Sequence, residues 1–302
     1  MAGESNVLTV LSDQMVQAVA KASDSTVLVN ARRRLPASGI AYTSELILTA
    51  DHVVERDEDL SIMLADGTLL PATIAGRDPG NDLALLRLEK PGLKEAEKAS
   101  QEARVGQLVL ALGRPGQEGI EASMGIVSAI GGPVRTGGGG LLERYLRTDV
   151  IPFPGFSGGP LIDTEGRVLG LNTSGLAHGA SITIPAALAW TDAENLARFG
   201  YVKRGYLGIR SQSVALPADS PKALGREQDQ GLLLVSVESG SPAEAGGLMV
   251  GDILVGIEGH AVNNHDELMV FLTGGAVGKP TSIQVLRGGQ PLTLTVTIGE
   301  RK

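Results

Sequence analysis

Apolar runs in this chain are short, closely spaced and cut by turn residues, a rhythm that leaves room for many strands and few helices. Runs at 26–29, 38–43, 45–49, 60–64, 69–74, 83–88, 107–112 and 122–130 are rich in Val, Ile, Leu and Thr. Bounded by polar turns, they read as antiparallel strands folded into barrels. Asp66-Gly67 between two of the runs is a strong hairpin signal, and further strands are expected around residue 157 and on to Ile184. The 41 glycines of the chain suit a strand-and-turn protein better than a helical one. Before the C-terminal third, helical spacing is carried by Leu11, Met15 and Val19, and by a segment from about Ala186 to Arg198.

One loop among these strands carries chemistry. Phe156-Ser157-Gly158-Gly159-Pro160-Leu161 suits neither a helix nor a mid-sheet strand, because glycine reaches conformations closed to other residues and proline lacks an N–H. Such a loop can aim successive backbone N–H groups at one point beside a serine hydroxyl, as an oxyanion hole requires, and Gly155 fits the same geometry. Taken alone, the motif is equally consistent with a surface turn. A serine becomes a nucleophile only when a base takes its proton. His52 follows the buried-strand run 46–49, and Asp82 opens the run 83–88, where a carboxylate needs a donor such as a histidine ring N–H. The order His52, Asp82, Ser157 is that of chymotrypsin-type enzymes, unlike subtilisin or the α/β-hydrolases.

Thr49-Ala50-Asp51-His52-Val53, Asp82-Leu83-Ala84-Leu85-Leu86-Arg87 and Gly155 through Leu161 resemble the HtrA/Deg serine proteases. So do Ala111-Leu112-Gly113-Arg114-Pro115, Gly125-Ile126-Val127-Ser128-Ala129, Thr148-Asp149 and Arg204 through Ile209. The stretch from Ser241-Pro242-Ala243-Glu244 to Gly251-Asp252 resembles the PDZ domain of that family. The resemblance implies a mostly β protein: a trypsin-like double antiparallel β-barrel protease domain over residues 1–200, then a small α+β PDZ domain over 205–302. It implies a serine endopeptidase of protein quality control and stress response, degrading unfolded or misfolded proteins, with no cofactor or metal. Ser157 would attack, His52 carry the proton, Asp82 orient His52, and the N–H groups of Gly155, Phe156 and Ser157 hold the oxyanion.

The same comparison assigns the substrate sites. Asn172-Thr173-Ser174 matches a glycosylation sequon, but is read as the strand edge against which a substrate lies, with Ile182 beside it. In trypsin-like folds the residue six before the nucleophile floors the primary specificity pocket; here it is Ile151, so cutting after Val, Ala, Leu or Ile is expected. Phe153 would favour the smaller members. In the C-terminal third, Ser241-Pro242-Ala243-Glu244 and Asn264-His265-Asp266-Glu267 read as capped starts of helices among strands. A domain of this kind takes a peptide as an added strand. By resemblance, Tyr206-Leu207-Gly208-Ile209 would hold a terminal carboxylate, and Leu268 and Leu272 would line the pocket for the last side chain. Periodicity alone makes both leucines ordinary core.

Several residues depart from the family pattern. Phe156 stands where asparagine is usual, which a backbone oxyanion hole tolerates, and Pro152-Phe153 replaces a small polar pair beside the specificity pocket. Gly132 stands where many relatives carry an arginine that relays PDZ occupancy to the active site. A trimer is implied by resemblance alone, and the aromatic residues that tie such trimers together are not evident near the N-terminus.

Composition narrows the remaining classes. The net charge of −8 and the scarcity of aromatic residues argue against nucleic acid as a partner, and no stretch reaches the roughly 20 apolar residues of an integral membrane helix. Arg32-Arg33-Arg34, the only basic run, is read as a solvated loop, and Gly137 through Gly140 as a flexible one. Zero cysteines exclude disulfides, thiolate metal sites and cysteine catalysis. His178, His260 and His265 lack partners at metal spacing and are read as solvent-facing or hydrogen-bonding. No leader pattern opens the chain, so a periplasmic or otherwise extracytoplasmic home is expected if a leader was removed, and a cytoplasmic one if Met1 is the native start. Two functions stand: an active endopeptidase whose PDZ domain takes protein C-termini, and a non-proteolytic PDZ scaffold or chaperone that keeps the protease fold. Retention of all three catalytic residues favours the first.

Overall fold

The short runs of the first two hundred residues pair antiparallel with their neighbours. The computed structural model, which describes residues 6–136, 140–177, 180–217, 219–272 and 274–300, shows them closing into two six-stranded barrels. The chain divides into two units, Met1–Val202 and Lys203–Lys302. His178 and Gly137–Gly139, both singled out above, lie outside the described residues.

In the first unit, helix α1 (Val7–Ser23) precedes β1 (Thr26–Asn30), β2 (Ala37–Ala41), β3 (Leu46–Thr49), β4 (Leu60–Met63), β5 (Leu69–Asp78) and β6 (Leu83–Leu88). These strands close in the order β1-β2-β3-β6-β5-β4. Ile40, Ile47, Leu48, Ile62, Leu83, Leu85 and Leu86 have no exposed surface, each worth about 1.5–3 kcal/mol of burial. The second barrel takes β7 (Leu108–Gly116), β8 (Gly119–Gly131), β11 (Tyr145–Thr148), β12 (Pro160–Ile162), β13 (Val168–Ala177) and β14 (Ala180–Pro185), in the order β11-β14-β13-β12-β7-β8. A two-stranded pair, β9 (Val134–Arg135) and β10 (Leu141–Leu142), is inserted before β11. Val109, Ala111, Leu161, Leu169 and Phe156 form the second barrel's own cluster. Helix α2 (Ala186–Phe199) follows and stops on Gly200 in the left-handed conformation, φ 80°.

Ser38 and Arg114 fasten one barrel to the other. The Ser38 hydroxyl on β2 donates to Gly155 O (2.7 Å) and accepts from Arg114 N on β7 (2.8 Å). The buried Arg114 guanidinium donates to Thr26 O (2.8 Å) and Ser23 O (3.0 Å), and burial lowers its pKa from the usual arginine value.

The second unit comprises β15 (Gly205–Tyr206), β16 (Ile209–Ala215), α3 (Ser220–Leu224), β17 (Gln230–Val237), α4 (Pro242–Ala245), β18 (Ile253–Ile257), β19 (His260–Ala261), α5 (His265–Val270), β20 (Pro280–Arg287), β21 (Gln290–Thr297) and β22 (Gly299–Glu300). Its main sheet runs β16-β17-β18-β20-β21, leaving β16 on an edge. Both expected caps form: Ser241 Oγ accepts from Glu244 N (3.2 Å), and Asn264 Oδ1 from Glu267 N (3.0 Å). Helix α5 ends at Val270, so Phe271 and Leu272 lie past its end. Among the described residues no helix is long and apolar enough to cross a membrane, and no group of three or more His, Asp or Glu could hold a metal ion.

Candidate active site

Strand register brings the first two catalytic candidates together. β3 and β6 pair with Thr49 opposite Ala84, so the 3₁₀ turn Asp51–Val53 after β3 lies against residue 82 before β6. Asp51 N donates to Asp82 O at 3.1 Å. Asp82 adopts φ 54°, a left-handed conformation that aspartate tolerates better than most residues. Its carboxylate, on a residue only 4% exposed, is held by three donors. His52 N reaches Oδ1 at 2.8 Å, His52 Nδ1 reaches Oδ2 at 2.9 Å, and the Thr173 hydroxyl donates to Oδ2. Such pairing offsets the cost of burying the charge. A ring that donates from Nδ1 leaves Nε2 with the lone pair a general base needs. Asp51, the neighbouring carboxylate, is engaged by Arg77, whose Nε lies 2.6 Å from Oδ1. That bond raises the arginine's pKa.

The second barrel supplies Ser157. Phe153–Phe156 forms a turn closed by Phe156 N donating to Phe153 O (3.1 Å), with Pro154 second and Gly155 third at φ 89°, the requirements of a type II turn. Gly158 N then donates to Asn172 O (2.8 Å) and Ser38 N to Ser157 O (3.2 Å), pinning the loop from both sides. Gly158 cannot be replaced cheaply: its φ is 86°, and a Cβ there would stand 2.1 Å from Ser38 O. The N–H groups of Gly155 and Ser157 have no protein acceptor among the described residues. The N–H of Phe156 is taken by the turn, which removes Phe156 from the expected oxyanion set. Its ring serves packing instead, buried in the barrel cluster edge-on to Phe153 at 5.4 Å.

Ser157 and His52 line one cavity of about 760 Å³, together with Arg32, Arg33, Arg34, Leu35, Glu55, Pro152, Phe153, Pro154, Gly155, Ser174 and Ser181. The described partner of the Ser157 hydroxyl is Ser174 Oγ, at 3.1 Å, rather than His52. Catalytic hydrogen bonds of this kind often tighten only when substrate arrives.

The other sequence-derived site residues fall differently. Ile151 is 62% exposed and is not among the residues lining the cavity, so it is no buried pocket floor. Ile182, 7% exposed, packs into the core shared by the first barrel and α2, because the β14 pleat turns it inward opposite Thr173. Asn172 is buried too: its backbone holds Gly158 and Gly159, and Oδ1 accepts from Thr183 Oγ1 at 2.8 Å. The roles of Thr173 as donor to Asp82 and of Ser174 as partner of Ser157 were missed by the sequence reading. The Asn-Thr-Ser run was their only signal. An arginine cannot stand at Gly132 in this backbone, since φ is 132° and a Cβ would lie 2.2 Å from Glu143 O.

In the second unit, the carbonyls of Leu207 and Gly208 accept from Ala243 N (2.9 Å) and Glu238 N (2.8 Å), which fixes the loop between β15 and β16. Tyr206 donates its hydroxyl to Glu238, and Ile209 opens the edge strand opposite Val237. Leu268 and Leu272 are buried in this unit's core, as periodicity alone suggested, and Leu207 of the expected carboxylate loop is buried with them. His265 on α5 lies 2.9 Å from Ser211 Oγ on β16, joining the helix to the edge strand.

Known proteins carry this arrangement. Residues 37–171 match the model of the trypsin-like peptidase domain, and residues 205–298 that of the PDZ domain. The chain is 33% identical over 276 residues to a probable periplasmic serine endoprotease, DegP-like, of Halomonas elongata, covering 89% of this chain and 57% of that protein. It is 34% identical over 259 residues to the periplasmic pH-dependent serine endoprotease DegQ of Escherichia coli, covering 83% and 56%. The chain thus spans just over half the length of these curated relatives. Among solved structures, the HtrA-type protease AlgW with a tripeptide superposes with a TM-score of 0.78 at 30% identity, covering 95% of this chain and 97% of that one. The serine endoprotease from Yersinia pestis gives 0.76 at 29% identity, covering 95% and 98%.

Proposed function

Because the chain belongs to the HtrA family of trypsin-like serine proteases bearing a PDZ domain, we propose that it is a serine endopeptidase acting through Ser157, His52 and Asp82. The observation that carries this reading is the bond to the buried Asp82 carboxylate from Nδ1 of His52, which lines the same cavity as Ser157. In this reading Ser157 Oγ turns from Ser174 to the substrate carbonyl as His52 Nε2 takes its proton. The N–H groups of Gly155 and Ser157 receive the oxyanion, and His52 returns the proton to the leaving amine. A non-proteolytic scaffold would not need a buried carboxylate aligned on a histidine.

The substrates are read as unfolded or misfolded proteins, cut after small or medium aliphatic residues. Around Ser157 the cavity offers Pro152, Phe153, Pro154 and Gly155, and its one carboxylate, Glu55, is met by Arg33 N at 3.4 Å. A lysine or arginine of the substrate would meet Arg32, Arg33 and Arg34 in the same wall, three cations against that one carboxylate. We assign the protease domain to 1–200 and the PDZ domain to 205–302. The latter is read as taking C-terminal peptides along edge strand β16, with the carboxylate at Tyr206-Leu207-Gly208-Ile209. The named relatives are periplasmic, and an extracytoplasmic home for this chain is the matching proposal, testable by cell fractionation. A trimer is proposed by family likeness alone; light scattering at the mass of one chain removes it.

Casein digestion tests the central reading. Wild type should cut it, and Ser157→Ala should lose on the order of 10⁶ in kcat. Digestion by Ser157→Ala at the wild-type rate refutes the mechanism, and fragments ending mainly in Arg or Lys refute the specificity. Binding of acid and amide forms of one aliphatic C-terminal peptide, compared by calorimetry, tests the PDZ site: amidation should weaken it at least about tenfold.

A further inference from the structure

The only basic run of an acidic chain is not a distant solvated loop. Arg32-Arg33-Arg34 occupies the connection between β1 and β2, and all three line the cavity that holds His52 and Ser157. Arg32 is committed to the loop itself, donating from Nε to Leu35 O and from Nη2 to Pro36 O at 3.0 Å. Arg33 and Arg34 are exposed, and no carboxylate among the described residues pairs with either guanidinium. Glu55, the sole carboxylate in the same wall, meets the Arg33 main chain rather than its side chain. Two uncommitted cations thus face a cleft in a protein whose net charge is −8.

Their place relative to the scissile bond follows from Ser157. Its hydroxyl turns toward Ser174 on β13, while its carbonyl accepts from Ser38 N on β2, just beyond the arginine loop. With the substrate's N-terminal half lying along β13, the half following the cut bond leaves past β2 and the arginines. We propose that Arg33 and Arg34 select substrates with acidic residues in the first few positions after the cut bond. This specificity rests on the endopeptidase reading above. Guanidinium pairs with carboxylate through a planar two-point contact, and the local field reverses the repulsion an acidic protein exerts on an acidic peptide.

The test uses full-length Ser157→Ala and two fluorescent peptides that share a Val at the cut position. One follows it with Glu-Asp-Glu, the other with Gln-Asn-Gln. Anisotropy should show the acidic peptide binding about fivefold tighter at 50 mM salt, from two exposed pairs, with the preference shrinking at 500 mM as screening shortens to a few ångströms. Adding Arg33→Ala and Arg34→Ala should abolish the preference, with circular dichroism checking that the fold is kept. Equal binding of the two peptides, no binding of either, or a preference that survives the arginine substitutions overturns the proposal. Wild-type cleavage of the same pair keeps the two readings apart. Cleavage of both peptides at equal kcat/KM refutes arginine selection alone, whereas acidic preference in binding without cleavage of either peptide refutes the endopeptidase.

Discussion

Thr173 offers the most discriminating test of how the site is held. Its side chain is fully buried, and among the described residues its hydroxyl is the one donor to the Asp82 carboxylate that does not come from His52. Thr173→Val keeps the shape but removes that donor, together with the oxygen that accepts from Gly175 N at 3.0 Å, so the loss is dominated by one hydrogen bond to a buried charge. Such bonds contribute about 1.5–3 kcal/mol. In a domain of this size each kcal/mol shifts the melting temperature by about 2–4 °C, so a fall of about 3–12 °C is expected. Asp82 also orients His52 through Oδ2, the oxygen that Thr173 shares. A carboxylate freed on that side no longer fixes the imidazole plane. If the same free energy is lost from the transition state, kcat/KM on a chromogenic peptide falls about 10- to 100-fold, at tenfold per 1.4 kcal/mol. Thr173→Ser, which restores the hydroxyl, should recover most of the activity. A Thr173→Val protein with the parent's melting temperature and kcat/KM would refute the assigned role.

Asp82→Asn preserves the shape but lets the ring adopt the wrong tautomer, and should lower kcat about 10⁴-fold, measured on the same peptide. Arg287 grips Asp252 with Nε and Nη2, each at 2.8 Å, and Met249 N adds a third bond at 2.9 Å. Burial pushes the Asp252 pKa up, but these bonds outweigh it and hold the carboxyl below its ordinary range. A lowered folded-state pKa gives stability that is present above the unfolded value of about 3.9 and is lost as pH falls through the folded one. Arg287→Met should therefore lower stability at pH 7, by calorimetry, with the gap to wild type narrowing as pH falls below about 3.9. A gap of equal size at pH 2.5 would rule the pair out as the source of acid sensitivity.

The triad candidates were legible because each follows from a local signal. His52 sits just past the end of an apolar strand, Asp82 opens another, and Ser157 lies among glycines no regular element would accept. Their chain order then supplied the topology. What stayed hidden depends on side chains meeting across long sequence separations. Thr173 reaches Asp82 only because β13 of one barrel passes beside the end of β6 in the other, 91 residues away. Ile151 and Ile182 were misplaced for a related reason. The β14 pleat turns Ile182 inward, and Ile151 lies in the loop after β11, where counting back from a nucleophile does not show which way a side chain points. The arginine run was visible in the sequence, but its place on the cavity wall required the β1–β2 connection to fold against the Ser157 loop.

His52 and Asp82 ride on one barrel and Ser157 on the other, with Ser38 and Arg114 as the clasp between them. Chemistry located at a seam can be switched without melting either half. Sliding the barrels by about an ångström would separate base from nucleophile, a displacement that can cost a hundredfold in rate. Mild denaturant should then silence the enzyme while both barrels keep their strands. For the same reason, the two barrels made as separate chains would each be inert, and turnover would report their reunion.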